Sequence, residues 1–449
     1  MEILGHDDRI GRALDAIAPI LDRIVGSIGL SAIERFGIDV SRIHWDMTSM
    51  SLFGDYDRTD AEFAVPSYGH PKDRRVDLKQ IQTGLGVTGD GGIPIFHRVF
   101  DGRAGEVNQV VAAMESLRSM CTPRRFLLVG DSKLISFGNV ASMTAAGVTF
   151  IAPASKAYLN ADGLRAANLM TLVDVDYVAD RDRSKPAGAR GRYRVSEDTW
   201  AMHPPKGMKN APIELRRVFV WSSADADAAA ISRANKLDRA RTDLDSLTRS
   251  LGGRYYTTVA KVEARLTVIS NKRRVANYLK ATVSTNTDGH PTLEWHFDQT
   301  ALDHQAAIDG WYCLLTNLAT TTADASEVLT RYKGQEIVER RCHNFKGPLA
   351  VAPIFLKNNR RIEALLSVIC LALLIFCLIE RAVRQALQPN QKMTGFPGRP
   401  TAKPTGRLIL DALADLRLIP ATANAPPIIP KPTGLQARLL EQVDPTTTR

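Results

Sequence analysis

The decisive stretch of this chain reads YKGQEIVERRCHNFK and runs from Tyr332 to Lys346. Side chains three, four or seven residues apart lie on the same face of an α-helix. Gln335, Glu339 and Lys346 are therefore expected to project together. Tyr332 would lie one turn before Gln335. A carboxylate beside a lysine, an amide and a phenol is suited to holding a metal ion next to a phosphate. The same pattern is also typical of the solvated face of an amphipathic helix.

The composition is that of a basic globular protein. The 449 residues are 44% hydrophobic and are enough for two or three domains. Lys and Arg number 58 against 48 Asp and Glu, a net charge of +10, which favours a polyanionic partner such as DNA. The 5 cysteines form no CxxC pair, so reduced thiols in a cytoplasmic protein are expected. We also expect no signal peptide, because MEILGHDDRI is acidic where a basic segment would be needed.

The strongest apolar run, Ala364–Ile379, predicts a helix in the core rather than in a membrane. It is shorter than the roughly 18–20 residues that span a bilayer, and charged residues bracket it on both sides. Cys370 and Cys377 lie one heptad apart in this run and are expected to face the core. We therefore expect no membrane association.

The order of the predicted elements indicates an α/β fold. A helical segment with a break at Pro19 covers residues 7–36, and a mixed sheet with helices on its faces follows. The sheet region has the predicted order β-β-β-α-β-α-β. Its elements are Arg42–Leu52, Asp77–Val87, Ile95–Phe100, Glu106–Met120, Arg125–Val129, Phe137–Ala145 and Val148–Ala152.

The pattern changes between residues 155 and 325, where short β-like pieces alternate with basic loops. The predicted strands there are Tyr193–Trp200, Arg216–Ser222, Arg254–Val262, Ala281–Thr285, Thr292–Phe297 and Gly310–Thr316, with a charged helix at about 224–250. We interpret this region as a β-rich insertion. The predicted organisation is a helical segment (1–40), the first part of the core (41–154), the insertion (155–325), the second part of the core (326–387) and a Pro/Gly-rich basic tail (388–449).

One motif matches a nucleotide-binding loop but is interpreted differently. GLGVTG, Gly84–Gly89, fits G-x-G-x-x-G after a strand-like run, yet a dinucleotide site needs a helix to begin there. The next residues, Asp90–Pro94, contain two glycines and a proline, so a hairpin turn between antiparallel strands is predicted instead. Zinc-site, serine-hydrolase and metalloprotease spacings are absent from the sequence.

Two aspartates lie where an α/β sheet binds ligands. Asp46 lies within the first strand, and Asp131 follows the fourth almost directly. If those strands are neighbours, both carboxylates face one cleft, which Glu339 can reach from a covering helix. Three such carboxylates suit Mg²⁺ and a two-ion phosphoryl displacement. Alternatively, Asp131 could cap a helix before Ser132, and Asp46 could be an exposed strand residue.

Three blocks resemble the bacterial insertion-sequence transposases of the DDE class. They are HWDMTSMSLFG around Asp46, LLVGDSKLISFGNV around Asp131 and RYKGQEIVERRCHNFK around Glu339. They are similar to the branch with a Tyr-x2-Arg-x3-Glu-x6-Lys signature, as is GHPKDRRVDLKQI at 69–81, so the resemblance covers roughly residues 40–385. It implies a ribonuclease-H-like mixed-sheet core, with the β-rich insertion before the last catalytic helix. It also implies DNA strand transfer with Mg²⁺ or Mn²⁺, by a homodimer on DNA at the nucleoid in the cytoplasm.

By position, the resemblance makes Asp46, Asp131 and Glu339 the acidic triad and the metal ligands. Tyr332 and Lys346 would contact the DNA backbone near the scissile phosphate. The basic loops of the insertion are expected to bind the DNA backbone through Arg190, Arg192, Lys272 and Arg273.

Two departures from the pattern keep other functions open. Gln335, also expected at the DNA, replaces the Arg of the signature, so a neutral amide stands where a charged phosphate contact is expected. Only about 40 residues precede the first catalytic strand, so the DNA-recognition domain is expected to be reduced to a remnant or truncated. A ribonuclease-H-like nuclease without strand transfer is one alternative. A DNA-binding remnant without catalysis is the other.

Overall fold

The computed structural model describes residues 4–56, 59–121, 125–155, 158–167, 171–347, 354, 356–389, 391–417 and 430–443. These residues form two compact units. The first comprises the described residues of Met1–Ala152, His203–Asn210 and Arg331–Arg449. The second comprises those of Pro153–Met202 and Ala211–Thr330.

The N-terminal part of the first unit has the predicted order of elements. Two helices come first, with a 3-10 turn at Ala18–Ile20 between them where Pro19 interrupts the helix. The elements are α1 (Leu4–Ile17), α2 (Leu21–Arg35), β1 (Arg42–Leu52), β2 (Lys79–Thr88), β3 (Pro94–Phe100), α3 (Glu106–Cys121), β4 (Leu127–Val129), α4 (Phe137–Ala145) and β5 (Thr149–Pro153).

The strands of this part form a mixed sheet with β1 in its interior. Their order is β3-β2-β1-β4-β5. β1 pairs antiparallel with β2, and β2 with β3, whereas β1 with β4 and β4 with β5 are parallel. β1 is buried on both faces, with Ile43, Trp45 and Met47 inside on one and His44 and Thr48 on the other. The chain is therefore a mixed α/β protein in which β1 is covered on both sides.

The motif that mimics a nucleotide-binding loop is part of a hairpin, as predicted. Gly84–Gly89 lies mostly within β2, which turns into the antiparallel β3. Gly91 and Gly92 have φ of 78° and 65°, a backbone that glycine adopts without steric cost.

The second unit contains more helix than its sequence pattern predicts. Its elements are α5 (Ala161–Ala167), β6 (Val173–Val175), β7 (Tyr193–Met202), β8 (Ile213–Ser222), α6 (Ser223–Arg249), α7 (Val259–Arg273), β9 (Leu279–Thr285), β10 (Pro291–Phe297), α8 (Gln299–Ala306) and β11 (Trp311–Thr316). The strand predicted at Arg254–Val262 is wrong, because α7 begins at Val259. Val262, Leu266 and Ile269 pack into one cluster at helical spacing.

The C-terminal part completes the chain with helices. They are α9 (Ala325–Lys333), α10 (Glu336–Lys346), α11 (Asn359–Gln385), α12 (Gly406–Leu413) and α13 (Gly434–Val443). The single helix predicted from Tyr332 to Lys346 is wrong, because α9 and α10 are separated at Gly334 and Gln335.

Helix α11 is longer than the apolar run suggested. It has 27 residues, and its most apolar window has a mean hydropathy of 2.9 with half of that window buried in the protein. Within the described residues it is the one continuous helix long and apolar enough to cross a bilayer, and α1 with α2 pass the same test as a bent pair. The length argument against a membrane span was therefore wrong. Cys370 and Cys377 face the core as predicted, with exposed fractions of 3% and 0%.

The segment predicted as a tail contributes to the core in its described parts. Met393, Phe396, Ile409 of α12 and Leu439 of α13 form a buried cluster with Val383 of α11. The amphipathic spacing within these two short helices provides the buried positions. The Pro/Gly-rich composition therefore marks turns between packed pieces rather than a chain end without contacts.

Candidate active site

The sheet register places Asp46 and Asp131 side by side. His44 of β1 pairs with Val129 of β4 in parallel register, and each aspartate comes two residues after its member of that pair. β4 ends at Val129, and Asp131 is exposed just beyond the C-terminal end of this strand. The alternative role of Asp131 as a helix cap is confirmed, since its side chain accepts from the backbone N–H of Lys133 at 2.9 Å and caps a 3-10 helix.

The Asp46 carboxyl is largely buried, with 14% of its side chain exposed. Its pKa is raised chiefly by burial and further by the charge of Asp131, against the lowering effect of Lys72. The reading of Asp46 as an exposed strand residue is therefore wrong. The Sγ atom of Cys342 lies 3.8 Å from Oδ2 of Asp46 on the side of α10.

Glu339 joins this acidic group from α10. Desolvation of its carboxyl group raises its pKa, and the charge of Asp46 raises it further. Such mutual effects require the carboxyl groups to be within Coulombic range of one another. Asp46 thus lies within Coulombic range of both Asp131 and Glu339, the other two carboxylates that the sequence blocks singled out.

Tyr332 and Lys346 lie beside the same carboxylates. Burial and the charges of Glu339 and Asp131 raise the pKa of Tyr332 to about 12, so the phenol keeps its proton at neutral pH. Burial lowers the pKa of Lys346. Both side chains are partly exposed. Their predicted contact with a DNA phosphate stays a prediction.

Lys72 is a site residue that motif reading missed. Its Nζ lies 3.4 Å from Oδ1 of Asp46 and donates to the carbonyl of Met47 at 2.5 Å. The loop that carries it is held along β1, because the Lys72 backbone N–H donates to Ser49 and the Ser51 hydroxyl donates to Asp73. Lys72 belongs to the stretch GHPKDRR, which the sequence analysis had already singled out. Only the position of this loop along β1 shows that Asp46 is its partner.

Glu106 is the second residue that sequence reasoning missed. It begins α3, and its pKa is raised by burial and by the charge of Asp131. A cavity of about 560 Å³ is lined by Glu106, Lys72 and Lys133 together with Tyr68 and other polar groups. Nothing in its sequence context marks Glu106, because an acidic residue in the first turn of a helix is common.

Gln335 does not lie on the exposed face where the sequence placed it. Its side chain is 7% exposed. Its Oε1 lies 3.1 Å from Nδ1 of His44, and its Nε2 donates to the carbonyl of Trp45 at 3.0 Å. Burial lowers the pKa of His44 to about 4, so this ring is neutral near pH 7. Both ends of the amide are thus engaged with β1, and the expected DNA contact of Gln335 is not available in this arrangement.

Arg341 holds α10 from the opposite side. It is 1% exposed and donates to the carbonyls of Gly92 at 3.1 Å and Gly91 at 2.6 Å. It also pairs with Glu380 of α11 at 2.7 Å. α10 is therefore fixed to the β2–β3 turn and to α11 as well as to β1.

The basic residues predicted in the insertion all lie in the second unit, with different surroundings. Lys272 and Arg192 are exposed. Arg190 donates to the carbonyl of Lys185 at 2.9 Å. Arg273 is already paired with Asp243, at 2.7 and 3.2 Å, which reduces the charge it can offer to DNA. Their role in DNA binding stays a prediction.

The chemistry of the acidic group suits a divalent cation, although its present geometry does not enclose one. Carboxylate oxygens are the preferred ligands of Mg²⁺, and carboxyl groups that raise one another's pKa gain from an added cation. Within the described residues, however, no three His, Cys, Asp or Glu side chains lie close enough to hold an ion. The positive charge beside Asp46 is supplied by the ammonium group of Lys72.

No family model and no curated protein matches the chain. Among solved structures, it is similar to a piggyBac transposase in a synaptic complex with hairpin DNA, with a TM-score of 0.28 and 8% sequence identity. The similarity covers 85% of this chain and 63% of that chain, so this protein spans less than two thirds of that transposase's length. The function is therefore inferred from the site and from the sequence blocks.

Proposed function

We propose that this protein is a DNA transposase of the DDE class, which cuts and joins strands at the ends of an insertion sequence. The proposal is supported by the position of Asp46 within Coulombic range of Asp131 and Glu339, which come from the other two of three distant sequence blocks. The sheet order β3-β2-β1-β4-β5 with a covering helix is compatible with the ribonuclease-H-like core that these blocks imply. The second unit corresponds to the proposed insertion, which precedes the last catalytic helix.

The proposed chemistry is a direct displacement at phosphorus. Asp46, Asp131 and Glu339 would hold Mg²⁺, or Mn²⁺ in its place, which would activate the attacking oxygen and stabilise the leaving one. The neutral phenol of Tyr332 can donate a hydrogen bond to a phosphate oxygen. Lys346 can neutralise the same group. These side chains bind and orient the phosphodiester, and no covalent bond between protein and DNA is needed.

The partners follow from this chemistry. A net charge of +10 favours the DNA of the element ends and of the target. Cutting two ends together calls for two copies of the chain on DNA, so we propose a homodimer in that complex. The proposed location is the cytoplasm at the nucleoid, without membrane association.

Purified protein mixed with Mg²⁺ and a plasmid that carries the DNA flanking its gene tests the proposal. We expect nicks that leave a free 3′-hydroxyl, followed by joined products. Asp131→Asn and Glu339→Gln should lower both by more than the roughly 10- to 100-fold that loss of a residue behind the metal ligands costs. Glu336→Gln, an exposed glutamate on the same helix, is the matched control and should act like wild type.

The other outcomes separate the alternatives. Nicks without joined products would favour a nuclease, and DNA binding without either would favour an inactive remnant. Unchanged strand transfer in Asp131→Asn would overturn the catalytic assignment. Sedimentation of the protein with carbonate-washed membranes would overturn the proposed location.

A further inference from the structure

The break between α9 and α10 lies against the strand that carries Asp46. Gln335 is the last residue before α10, and Glu339 follows one helical turn later. Across the break, Gln335 contacts two consecutive residues of β1, His44 and Trp45. Asp46 is the next residue of that strand. The amide thus joins the two elements that supply two of the three carboxylates.

The contact is specific at both ends. The Gln335 Nε2 donates to a carbonyl, so its Oε1 is the acceptor for His44. A neutral imidazole that donates through Nδ1 has its free lone pair on Nε2. His44 Nε2 is indeed buried without a hydrogen-bond partner in the described structure. A Cβ at Gly334 would lie 3.0 Å from the His44 Cε1 atom, so glycine allows the break to approach the ring this closely.

We propose that Gln335 is a positioning residue that sets Glu339 against Asp46 through His44, rather than a contact to DNA. This inference rests on the proposed function. It predicts that the glutamine is required where the related signature has arginine. A guanidinium group only donates and has no acceptor for His44 Nδ1–H. Partners behind the ligands of a metal site typically change metal affinity or activity by 10- to 100-fold when they are lost.

The test compares variants of both partners. Gln335→Leu removes both hydrogen bonds at similar volume, and Gln335→Arg restores the residue of the signature. His44→Asn keeps an N–H donor near the place of Nδ1, whereas His44→Leu removes it. Gln436→Leu is the matched control, since Gln436 is 8% exposed and also has both ends of its amide bonded, to Thr433 and Ala412.

Three measurements are made on each full-length variant: DNA affinity without divalent ion, strand cleavage at saturating DNA, and Mn²⁺ binding by electron paramagnetic resonance. For Gln335→Leu, Gln335→Arg and His44→Leu we expect cleavage and Mn²⁺ affinity to fall 10- to 100-fold, with DNA affinity within about twofold of wild type. His44→Asn and Gln436→Leu should keep both within about threefold. If Gln335→Leu does not fold, the two His44 variants decide.

Several results would overturn the inference. One is weaker DNA binding by Gln335→Leu with unchanged cleavage at saturating DNA, which would identify a phosphate contact. Others are equal losses in His44→Asn and His44→Leu, or in Gln436→Leu and Gln335→Leu. Wild-type protein that neither cuts DNA nor binds Mn²⁺ would overturn the proposed function together with this inference. Wild type that cuts DNA no better than Gln335→Leu would overturn the inference alone.

Discussion

Replacing Glu380 with leucine should destabilise the first unit strongly. The Glu380 carboxylate accepts from Arg341 and from Arg384 at 2.7 Å each, and from the backbone N–H of Gly406 at 2.8 Å. The side chains of Arg341 and Glu380 are 2% and 3% exposed. Leucine would therefore leave a buried guanidinium without its counter-charge and a buried N–H without an acceptor.

The expected loss is large for one substitution. Breaking a buried ion pair by removing one partner costs about 3–5 kcal/mol, because the other charge stays desolvated. The unpaired N–H of Gly406 adds roughly 1–3 kcal/mol if it stays buried. These contributions are not additive, so we expect a loss of at least about 3 kcal/mol, or more than a hundredfold in the unfolding equilibrium.

Urea unfolding followed by tryptophan fluorescence measures this loss. The control is Asp77→Asn, because the pair of Asp77 with Arg75 is exposed on both sides and should leave the midpoint unchanged. The double variant Arg341→Met with Glu380→Leu should recover part of the stability, because it removes both charges. A midpoint for Glu380→Leu equal to that of Asp77→Asn would refute the reasoning.

Four further predictions concern pH, packing at two glycines, and thiols. Burial alone would raise the pKa of Glu380, but Arg341 and Arg384 hold it below its usual range. Glu380 therefore contributes fully to the free energy of unfolding above its unfolded pKa of about 4.3, and this contribution is lost as pH falls through the lower folded pKa. The stability difference between wild type and Glu380→Leu should therefore be smaller at pH 3 than at pH 7. Gly102→Ala should cost roughly 1–3 kcal/mol in the urea midpoint, because its Cβ would meet the backbone of Gln80 and Ser67. Gly138→Ala, where a Cβ meets nothing within 4 Å, should stabilise α4 by up to about 1 kcal/mol. Ellman's reagent should modify four buried thiols only after unfolding, since burial raises their pKa: Cys313, Cys342, Cys370 and Cys377. Fast reaction of any of these four in the native protein would contradict its placement.

Local periodicity made much of the first unit predictable. β1 at Arg42–Leu52 and α4 at Phe137–Ala145 have the bounds that the sequence suggested. In α4 the residues that pack inside recur at helical spacing, whereas β1 is buried on both faces. The order of strands and helices followed from the same signal. The neighbouring positions of Asp46 and Asp131 then required only the parallel pairing of β1 with β4.

Tertiary contacts decided what the sequence could not. The run Tyr255-Tyr256-Thr257-Thr258 has high strand propensity, but it precedes a helix whose apolar spacing packs against the β9–β10 hairpin. Gln335 looked like a surface residue, because one helix was assumed to run through Gly334. Its partners in β1 are about 290 residues away in the chain, so no local pattern could reveal them.

The buried ion pair between Arg341 and Glu380 also has a consequence for folding during protein synthesis. Glu380 and Gly406 are made after Asp46, Asp131 and Glu339, and α10 is held to α11 only when they are in place. Domains fold as units while the ribosome is still adding residues. A nascent chain that already contains Asp46, Asp131 and Glu339 therefore still lacks the part of the support for α10 that comes from α11. The acidic group would therefore gain this support only after Gly406 has been made.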